Sequence, residues 1–575
     1  MDSNGTAQPA SKAQTIHSRR TFLASGLGCV ALAGAGTMLP EQALASVSNV
    51  GSASSQKPSI VASDKNAIVD TSAGKIRGYT RLGINTFKGI PYADTTAGAN
   101  RFLPPQKPKP WTGVRSSMQF GSVSPQAERD GWAHDEEAWL FSWNDGIQGE
   151  DCLRLNIWTP GLSDQKKRPV MVWLHGGGFA AGSGQELLSY DGERLVRRGD
   201  VVVVTLNHRL NAMGYLNLGE YGQHFAESGN VGMLDIVAAL EWVRENIGRF
   251  GGDPGSVTIF GQSGGGGKVS TLMGMPSAQG LFHRAIVESG SMLRVGTPDA
   301  SAKLAAQLLS ELNLGPNQIG QLQQLPFSTI VDTGNKIVAK NRPLGPPNFR
   351  RMAASMGWAP IVDGNVVPQH PFDPVAPKGT AEVPMIIGTT LNEFMTALNH
   401  PEYEAMTQAE LQSKVRAAHP ERAEDILATY KQAHPQANPF DLWSIISTAS
   451  IRANAILQAQ SKAALGQAPA YLYRFDWQTP VLDGRPRAFH CSEIAFVFDN
   501  TDRCENMTGG GEGPRQLAAT MADAWVNFAR TGDPNHKGMP AWTPVSDKTA
   551  PTMVFDTRSK LVSDLDSKEL ASIGD

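Results

Sequence analysis

Ser263 lies at the centre of Gly261-Gln262-Ser263-Gly264-Gly265, directly after the apolar run Val257-Thr258-Ile259-Phe260. A serine on a tight turn from a buried strand into a helix has its hydroxyl pushed clear of its own backbone, into space where a carbonyl carbon can sit. Glycines flank such a turn because a Cβ there would meet a neighbouring strand or the substrate. In a chain with 59 glycines the spacing alone says little; the strand before it and the partners elsewhere give it force. A serine hydroxyl is a poor nucleophile at neutral pH. It needs a base within hydrogen-bond reach, and the base needs an acid that fixes its tautomer. Downstream of such a turn the acid comes first and the histidine second. Glu393, in Gly388-Thr389-Thr390-Leu391-Asn392-Glu393-Phe394, and His490, in Ala488-Phe489-His490-Cys491-Ser492-Glu493, occupy those places. Each also has a plainer reading. Glu393 reads as an acid favoured at a helix N-terminus, and His490 as one of 12 histidines in the surface or core.

The tetrahedral intermediate of acyl transfer needs donors aimed at its oxyanion. His175-Gly176-Gly177-Gly178-Phe179 matches the glycine-rich loop whose backbone N–H groups do this in esterases, and the N–H of Gly264 would join them. Two competing chemistries fail. Gly264–Lys268 imitates a phosphate loop, but Gln262 stands where that loop needs Gly and Val269 where it needs Ser or Thr. His134-Asp135-Glu136-Glu137 lacks the spacing of a zinc-binding helix, and Cys/His clusters are too few for a metal site.

The elements that must position these residues are legible from periodicity. Short β-like runs recur at 155–158, 170–174, 201–206, 257–260, 285–287, 384–387 and 471–475. Several are continuously apolar, as strands covered on both faces are. A hairpin is expected over 67–79 about Ser72-Ala73-Gly74. A helix is expected over 232–247, with Met233, Ile236, Val237, Leu240, Val243 and Ile247 on one face, ended by Phe250-Gly251-Gly252-Asp253-Pro254. Strands alternating with helices predict an α/β sheet wound on both sides, with Ser263 at a strand's C-terminal end, where ligands bind in such sheets. Residues 296–380 and 400–465 read as mostly helical and irregular insertions forming a cap over that edge.

Composition narrows the classes. Apolar residues make up 41% and charged residues 18% of the 575, enough for a large core. A net charge of −3 with balanced signs leaves no basic field for nucleic acid. No internal repeat is found, and no run of 18 apolar residues that would span a membrane. Ser18-Arg19-Arg20-Thr21-Phe22-Leu23, an apolar stretch to Leu39 and Ala43-Leu44-Ala45 read as a twin-arginine signal peptide over 1–45, cleaved after Ala45. Residues 46–66 read as a flexible lead-in and 67–575 as one catalytic domain, exported to the periplasm or outside the cell. Cys152, Cys491 and Cys504 remain, so one thiol at least is unpaired within the chain. Cys491 and Cys504 are near enough in sequence to bridge, although a chain folded before export meets a reducing cytoplasm.

From about 67 to 556 the sequence resembles the type-B carboxylesterase family, which includes para-nitrobenzyl esterases and cholinesterases. The stretches that carry the resemblance are Phe87-Lys88-Gly89-Ile90-Pro91-Tyr92-Ala93 with Arg101-Phe102, Glu150–Ile157, Phe250–Gly265 and Trp525–Gly532. It implies an α/β-hydrolase fold and hydrolysis of small-molecule carboxylic esters through an acyl-enzyme, with no metal or organic cofactor. It further implies Ser263 as nucleophile, Glu393 as acid, His490 as base, and Gly177, Gly178 and Gly264 as oxyanion donors. The chain departs from the family in three places. Cys152 has no upstream cysteine in the mature chain to bridge, Gly264 to Gly267 replace a pattern with two alanines, and Cys491 replaces a common glycine. A non-catalytic binding protein would have lost part of the triad, and none is lost. Acyl transfer to an alcohol, or amide or carbamate cleavage, stays open. Trp132, Trp139, Phe141 and Trp143 either contact substrate or pack. Arg350 and Arg351 either meet a carboxylated substrate or form a solvated pair.

Overall fold

Continuously apolar strands leave no polar face for water and must be covered on both sides. β8 (Arg168–Leu174) is buried at every position. Val170, Val172 and Leu174 enter one hydrophobic core, and Met171 and Trp173 enter a second core. The two cores are therefore the two faces of one sheet.

The computed structural model describes residues 58–127, 135–341 and 357–574. Around β8 lie β1 (Ile60–Val61), β4 (Tyr79–Arg81), β5 (Ile84–Pro91), β7 (Arg154–Thr159), β9 (Val202–Leu206), β10 (Gly252–Gln262), β11 (Arg284–Glu288), β12 (Met385–Thr390), β13 (Ala470–Phe475), β14 (Thr552–Phe555) and β15 (Lys560–Val562). The strand order is β1-β4-β5-β7-β9-β8-β10-β11-β12-β13-β14-β15. Neighbours from β9 to β14 run parallel, and the outer pairs are antiparallel. From β8 the chain passes first to β9 on one side and then returns to β10 on the other. Such a reversal opens a crevice at the strands' C-terminal ends, and the loops there follow Leu174 and Gln262.

Every strand expected from the apolar runs is present, and the expected helix over 232–247 is observed as Val231–Asn246 followed by a tighter turn, Ile247–Phe250. The hairpin forms as β2 (Ile68–Asp70) and β3 (Lys75–Arg77), but it belongs to a separate three-stranded sheet with β6 (Val114–Ser116). Three details differ from expectation. Ile60–Val61, within the expected lead-in, pairs with β4. Gly252-Asp253-Pro254, read as a helix stop, also opens β10, whose pairing with β8 shifts register between Gly252 and Val257. β12 runs on to Thr390, three residues beyond its apolar run, which carries the chain close to Glu393. The insertions carry helices at Pro298–Glu311 and Phe327–Asn341 in the first and at Gln408–Ala418, Ala423–Ala433 and Pro439–Ala463 in the second, while 357–377 of the first is irregular.

The helix Gly264–Met273 that follows Ser263 is buried along its whole length and begins with four glycines. A Cβ on Gly265 would collide with the carbonyl oxygen of Leu174, and one on Gly264 with the carbonyl oxygen of Gly178. Neither neighbour is a side chain that can turn away. Gly267 is different: its Cβ would first meet Met292 Cε at 3.2 Å, the end of a flexible side chain. Gly265→Ala is therefore expected to cost at least about 1–3 kcal/mol through overpacking. Gly267→Ala is expected to be neutral or to gain up to about 1 kcal/mol of helix propensity. Thermal unfolding of the two variants beside the parent chain checks the contrast.

Candidate active site

The turn that carries Ser263 departs from ordinary backbone. Ser263 has φ 58° and ψ −124°. Non-glycine residues rarely enter that region, and it persists only when surrounding structure enforces it. The Ser263 N–H donates to the carbonyl of Glu288 at the end of β11, at 2.8 Å, and the Ser263 carbonyl accepts from Gly267 at 3.0 Å. Strand and helix thus grip the turn from both sides and leave the side chain projecting.

Glu393 and His490 are brought together. Glu393 Oε2 lies 2.5 Å from His490 Nδ1, while Glu393 Oε1 accepts from the Thr390 N–H at 3.0 Å. The backbone reinforces the pair, since the His490 N–H donates to the Glu393 carbonyl at 2.9 Å. Glu393 sits in a loop after β12 and starts no helix, so the helix-dipole reading of this residue falls away. Its side chain is 1% exposed and that of His490 11%. A carboxylate on Nδ1 fixes the tautomer with Nε2 free to accept a proton.

Among the described residues no hydrogen bond joins the Ser263 hydroxyl to His490. The ring is instead faced by Gln262, whose Nε2 lies 3.3 Å from both ring nitrogens, with Phe394 stacked at 3.8 Å between centroids. Gln262 Oε1 in turn accepts from the Cys491 thiol at 3.0 Å. Cys152, Cys491 and Cys504 are all free thiols, so the contemplated bridge from Cys491 to Cys504 is not formed. Burial pushes the Cys491 thiol well up, with nearby carboxylates adding to it.

The glycine loop after β8 lies against the nucleophile turn. A Cβ on Gly176 would stand 3.5 Å from Ser263 Cβ, and Gly264 touches the backbone of Gly178. Gly177 and Gly178 have φ of 75° and 62°, and both retain exposure in a loop whose flanking residues, Gly176 and Phe179, are buried. The three expected donors thus share one wall with Ser263. A cavity of about 890 Å³ adjoins this loop through Gly182 and Ser183, with Gln126, Asn144, Gln148 and Glu186 among its lining. The triad residues are not in its described lining, so it is a chamber beside the chemistry rather than the reaction centre itself.

Of the aromatics before Glu150, Phe141 packs in a tilted pair with Trp143 at 4.7 Å and edge-on to Phe489 at 5.7 Å, and Glu136 makes a bidentate pair with Arg485 at 2.8 and 2.9 Å. Phe141 and Trp143 therefore pack onto the loop that carries His490; Trp139 is 48% exposed. Trp132, Arg350 and Arg351 lie outside the described residues, as does the segment 1–57.

Several residues near the site carry no sequence signature. Burial lifts the Glu288 carboxyl to about 8 while Trp525 Nε1 donates to it at 2.8 Å. Glu493, three residues after His490, is pushed well up by burial first and then by the charges of Glu288 and Glu393. Lys268, which sequence reading met only as part of a failed phosphate loop, is wholly buried behind the glycine loop. An acid or lysine inside an otherwise apolar or small-residue run is the one signal that would have singled these out.

A strained serine turn after a parallel strand, a paired carboxylate and imidazole, and a facing glycine loop stand together on the sheet of an α/β-hydrolase fold. The chain belongs to the carboxylesterase family: the family's profile matches residues 65–572. It is 34% identical to the para-nitrobenzyl esterase of Bacillus subtilis, over 87% of this chain and 97% of that one. It is 31% identical to the phenmedipham hydrolase of Pseudarthrobacter oxydans, over 88% and 98%. Among solved structures, an esterase of Clostridium hathewayi that hydrolyses aliphatic aromatic polyesters superposes with a TM-score of 0.78 at 37% identity, covering 89% of this chain and 99% of that one. A Geobacillus stearothermophilus carboxylesterase gives 0.73 at 35% identity, covering 88% and 99%. The chain is accordingly a carboxylic ester hydrolase.

The raised Glu288 carboxyl has a consequence for stability. Between its unfolded value of 4.5 and about 8 the folded chain binds a proton that the unfolded chain has released. This group's contribution therefore falls as pH rises through that window. Glu288→Gln keeps an acceptor for Trp525 and removes the titration. Its melting temperature is expected to gain on the parent's steadily from pH 5 to pH 8, a gap of roughly 1–3 kcal/mol at the upper end. A constant difference across that range would show that Glu288 does not titrate there.

Proposed function

We propose that the chain hydrolyses small-molecule carboxylic esters through a Ser263 acyl-enzyme, with His490 as base and Glu393 as the acid that orients it. The observation that carries this reading is the Glu393–His490 contact of 2.5 Å beside a serine held at φ 58°. Substrate bound against the glycine loop brings its carbonyl carbon to Ser263 Oγ. As the new C–O bond forms, the hydroxyl proton passes to His490 Nε2 and the carbonyl electrons move onto oxygen. The N–H groups of Gly177, Gly178 and Gly264 receive that oxyanion. Collapse expels the alcohol, which takes the proton from Nε2. A water molecule then repeats the sequence on the acyl-enzyme and releases the acid. Catalytic hydrogen bonds often tighten only with substrate present, which fits a resting state in which Gln262 faces the imidazole.

Hydrolysis of a short p-nitrophenyl ester is expected to fall by at least ~10⁴-fold in Ser263→Ala, and to a similar degree in Glu393→Gln, which keeps the size of the acid but not its charge. An organophosphate should label Ser263 in the parent chain. Turnover surviving in Ser263→Ala would rule the reading out.

We further propose export by the twin-arginine route with cleavage after Ala45, supported by Arg19-Arg20, the apolar stretch and Ala43-Leu44-Ala45. Exchanging Arg19 and Arg20 together for lysine should leave uncleaved chain in the cytoplasm of an expressing bacterium. Unchanged processing by N-terminal sequencing would exclude that route.

A further inference from the structure

Lys268 lies in the first turns of the helix that Ser263 opens, and its side chain has no exposure. Its hydrogen-bond partners are backbone carbonyls of the glycine loop: Nζ donates to His175 O at 2.8 Å and to Gly176 O at 3.4 Å. The same ammonium lies 5.6 Å from the centre of the Phe179 ring. A second group also turns to Gly176 O, since His175 Nδ1 stands 3.0 Å from it while the His175 ring stacks on His208. The carbonyl of Gly176 and the N–H of Gly177 belong to one peptide unit. In a trans peptide the two point in opposite directions. Fixing the carbonyl toward Lys268 therefore fixes the Gly177 N–H toward the opposite side of the peptide, and the loop that carries it lies against Ser263, with a Cβ on Gly176 only 3.5 Å from Ser263 Cβ. Hydrogen bonds to the carbonyl also polarise the unit and make its N–H a stronger donor.

We propose that Lys268 is a positioning residue for the oxyanion hole: it locks and polarises the Gly176–Gly177 peptide from behind, so that the Gly177 N–H is aimed and strengthened before substrate arrives. The proposal rests on the reading of Gly177 as an oxyanion donor. Burial lowers the Lys268 ammonium to about 7, with the Glu186 charge opposing the fall in part. Both protonation states keep N–H donors, so the lock survives across neutral pH. An apolar side chain of equal length would fill the same space without desolvating an amine, but would leave the His175 and Gly176 carbonyls without this donor.

Lys268→Met tests this in the full chain. The expected result is a fall in kcat of about 10- to 100-fold, less than the loss of an oxyanion donor outright. KM should stay within twofold, and the melting temperature should fall by no more than a lost buried hydrogen bond explains. Affinity for a trifluoromethyl ketone, whose adduct with a serine carries the oxyanion, should weaken by the same factor as kcat. Lys268→Arg, which keeps the donors, should recover part of both. Unchanged kcat and ketone affinity in Lys268→Met would overturn the proposal. So would a loss that falls equally on KM and melting temperature and spares the ketone. Should Lys268→Met fail to fold, Lys268→Leu, which likewise removes the donors, is judged by the same criteria. Ser263→Ala, run alongside, separates the two readings: activity surviving there refutes the serine mechanism, whereas a dead Ser263→Ala beside an unaffected Lys268→Met refutes only the role of Lys268.

Discussion

The site depends on backbone touching backbone at the C-terminal ends of β8, β10 and β11. Gly264 rests on Gly178, Gly265 on the carbonyl of Leu174, and Gly266 on the Cα of Gly290 at distances where no Cβ fits. Gly290 in turn lies against the carbonyl of Ser263. Three loops that are remote in sequence are thus held in a single layer, with no side chain between them. This contact sets the separation between Ser263 and the Gly177–Gly178 loop, because each loop's position is fixed by the others. It also accounts for an unfavourable sequence feature. Four successive glycines weaken a helix start by up to about 1 kcal/mol each relative to alanine, and at three of the four the packing admits nothing larger.

The layer is dry, and its electrostatics follow from that. Glu288 and Glu493 lie behind the triad, where ionisation would add negative charge beside Glu393 in a poorly screened medium. Burial favours their neutral forms. On the other side of Ser263, Lys268 and the imidazole of His208 are driven toward neutrality by the same cause. Burial thus disfavours the charged forms of these four groups. In the proposed mechanism the tetrahedral oxyanion meets oriented peptide dipoles. Such dipoles cost no reorganisation at the moment of reaction.

Much of this was legible in the residues. Ser263, Glu393 and His490 each follow a strand whose apolar run is unmistakable, and the parallel order of those strands sends all three to one edge. The peripheral strands were less visible for equally physical reasons. β5 carries Lys88, Gly89 and Pro91 within its eight residues, and β14 has only four, so neither shows a period. The first part of β10 contains Asp253, Pro254 and Gly255, which read as punctuation and form a strand only through an irregular pairing with β8. Lys268 was invisible as a functional residue because its partners are backbone carbonyls, and a carbonyl leaves no mark in sequence. The same holds for the glycines: their number was plain, but what presses on each was not.

Cys491 shows how one substitution can reset a site without altering its plan. The residue has φ 77°, a conformation natural for glycine. For a residue with a Cβ it costs roughly 1–2 kcal/mol. The thiol offsets part of that by donating to Gln262 Oε1, which orients the Gln262 amide with Nε2 toward the imidazole. With Glu393 on Nδ1, the Gln262 amide faces the rest of the ring, 3.3 Å from both nitrogens. In the proposed mechanism the approach of Ser263 Oγ to His490 Nε2 moves this amide aside, so the Cys491 thiol acts on the site through Gln262 and leaves the plan of strands and turns unchanged.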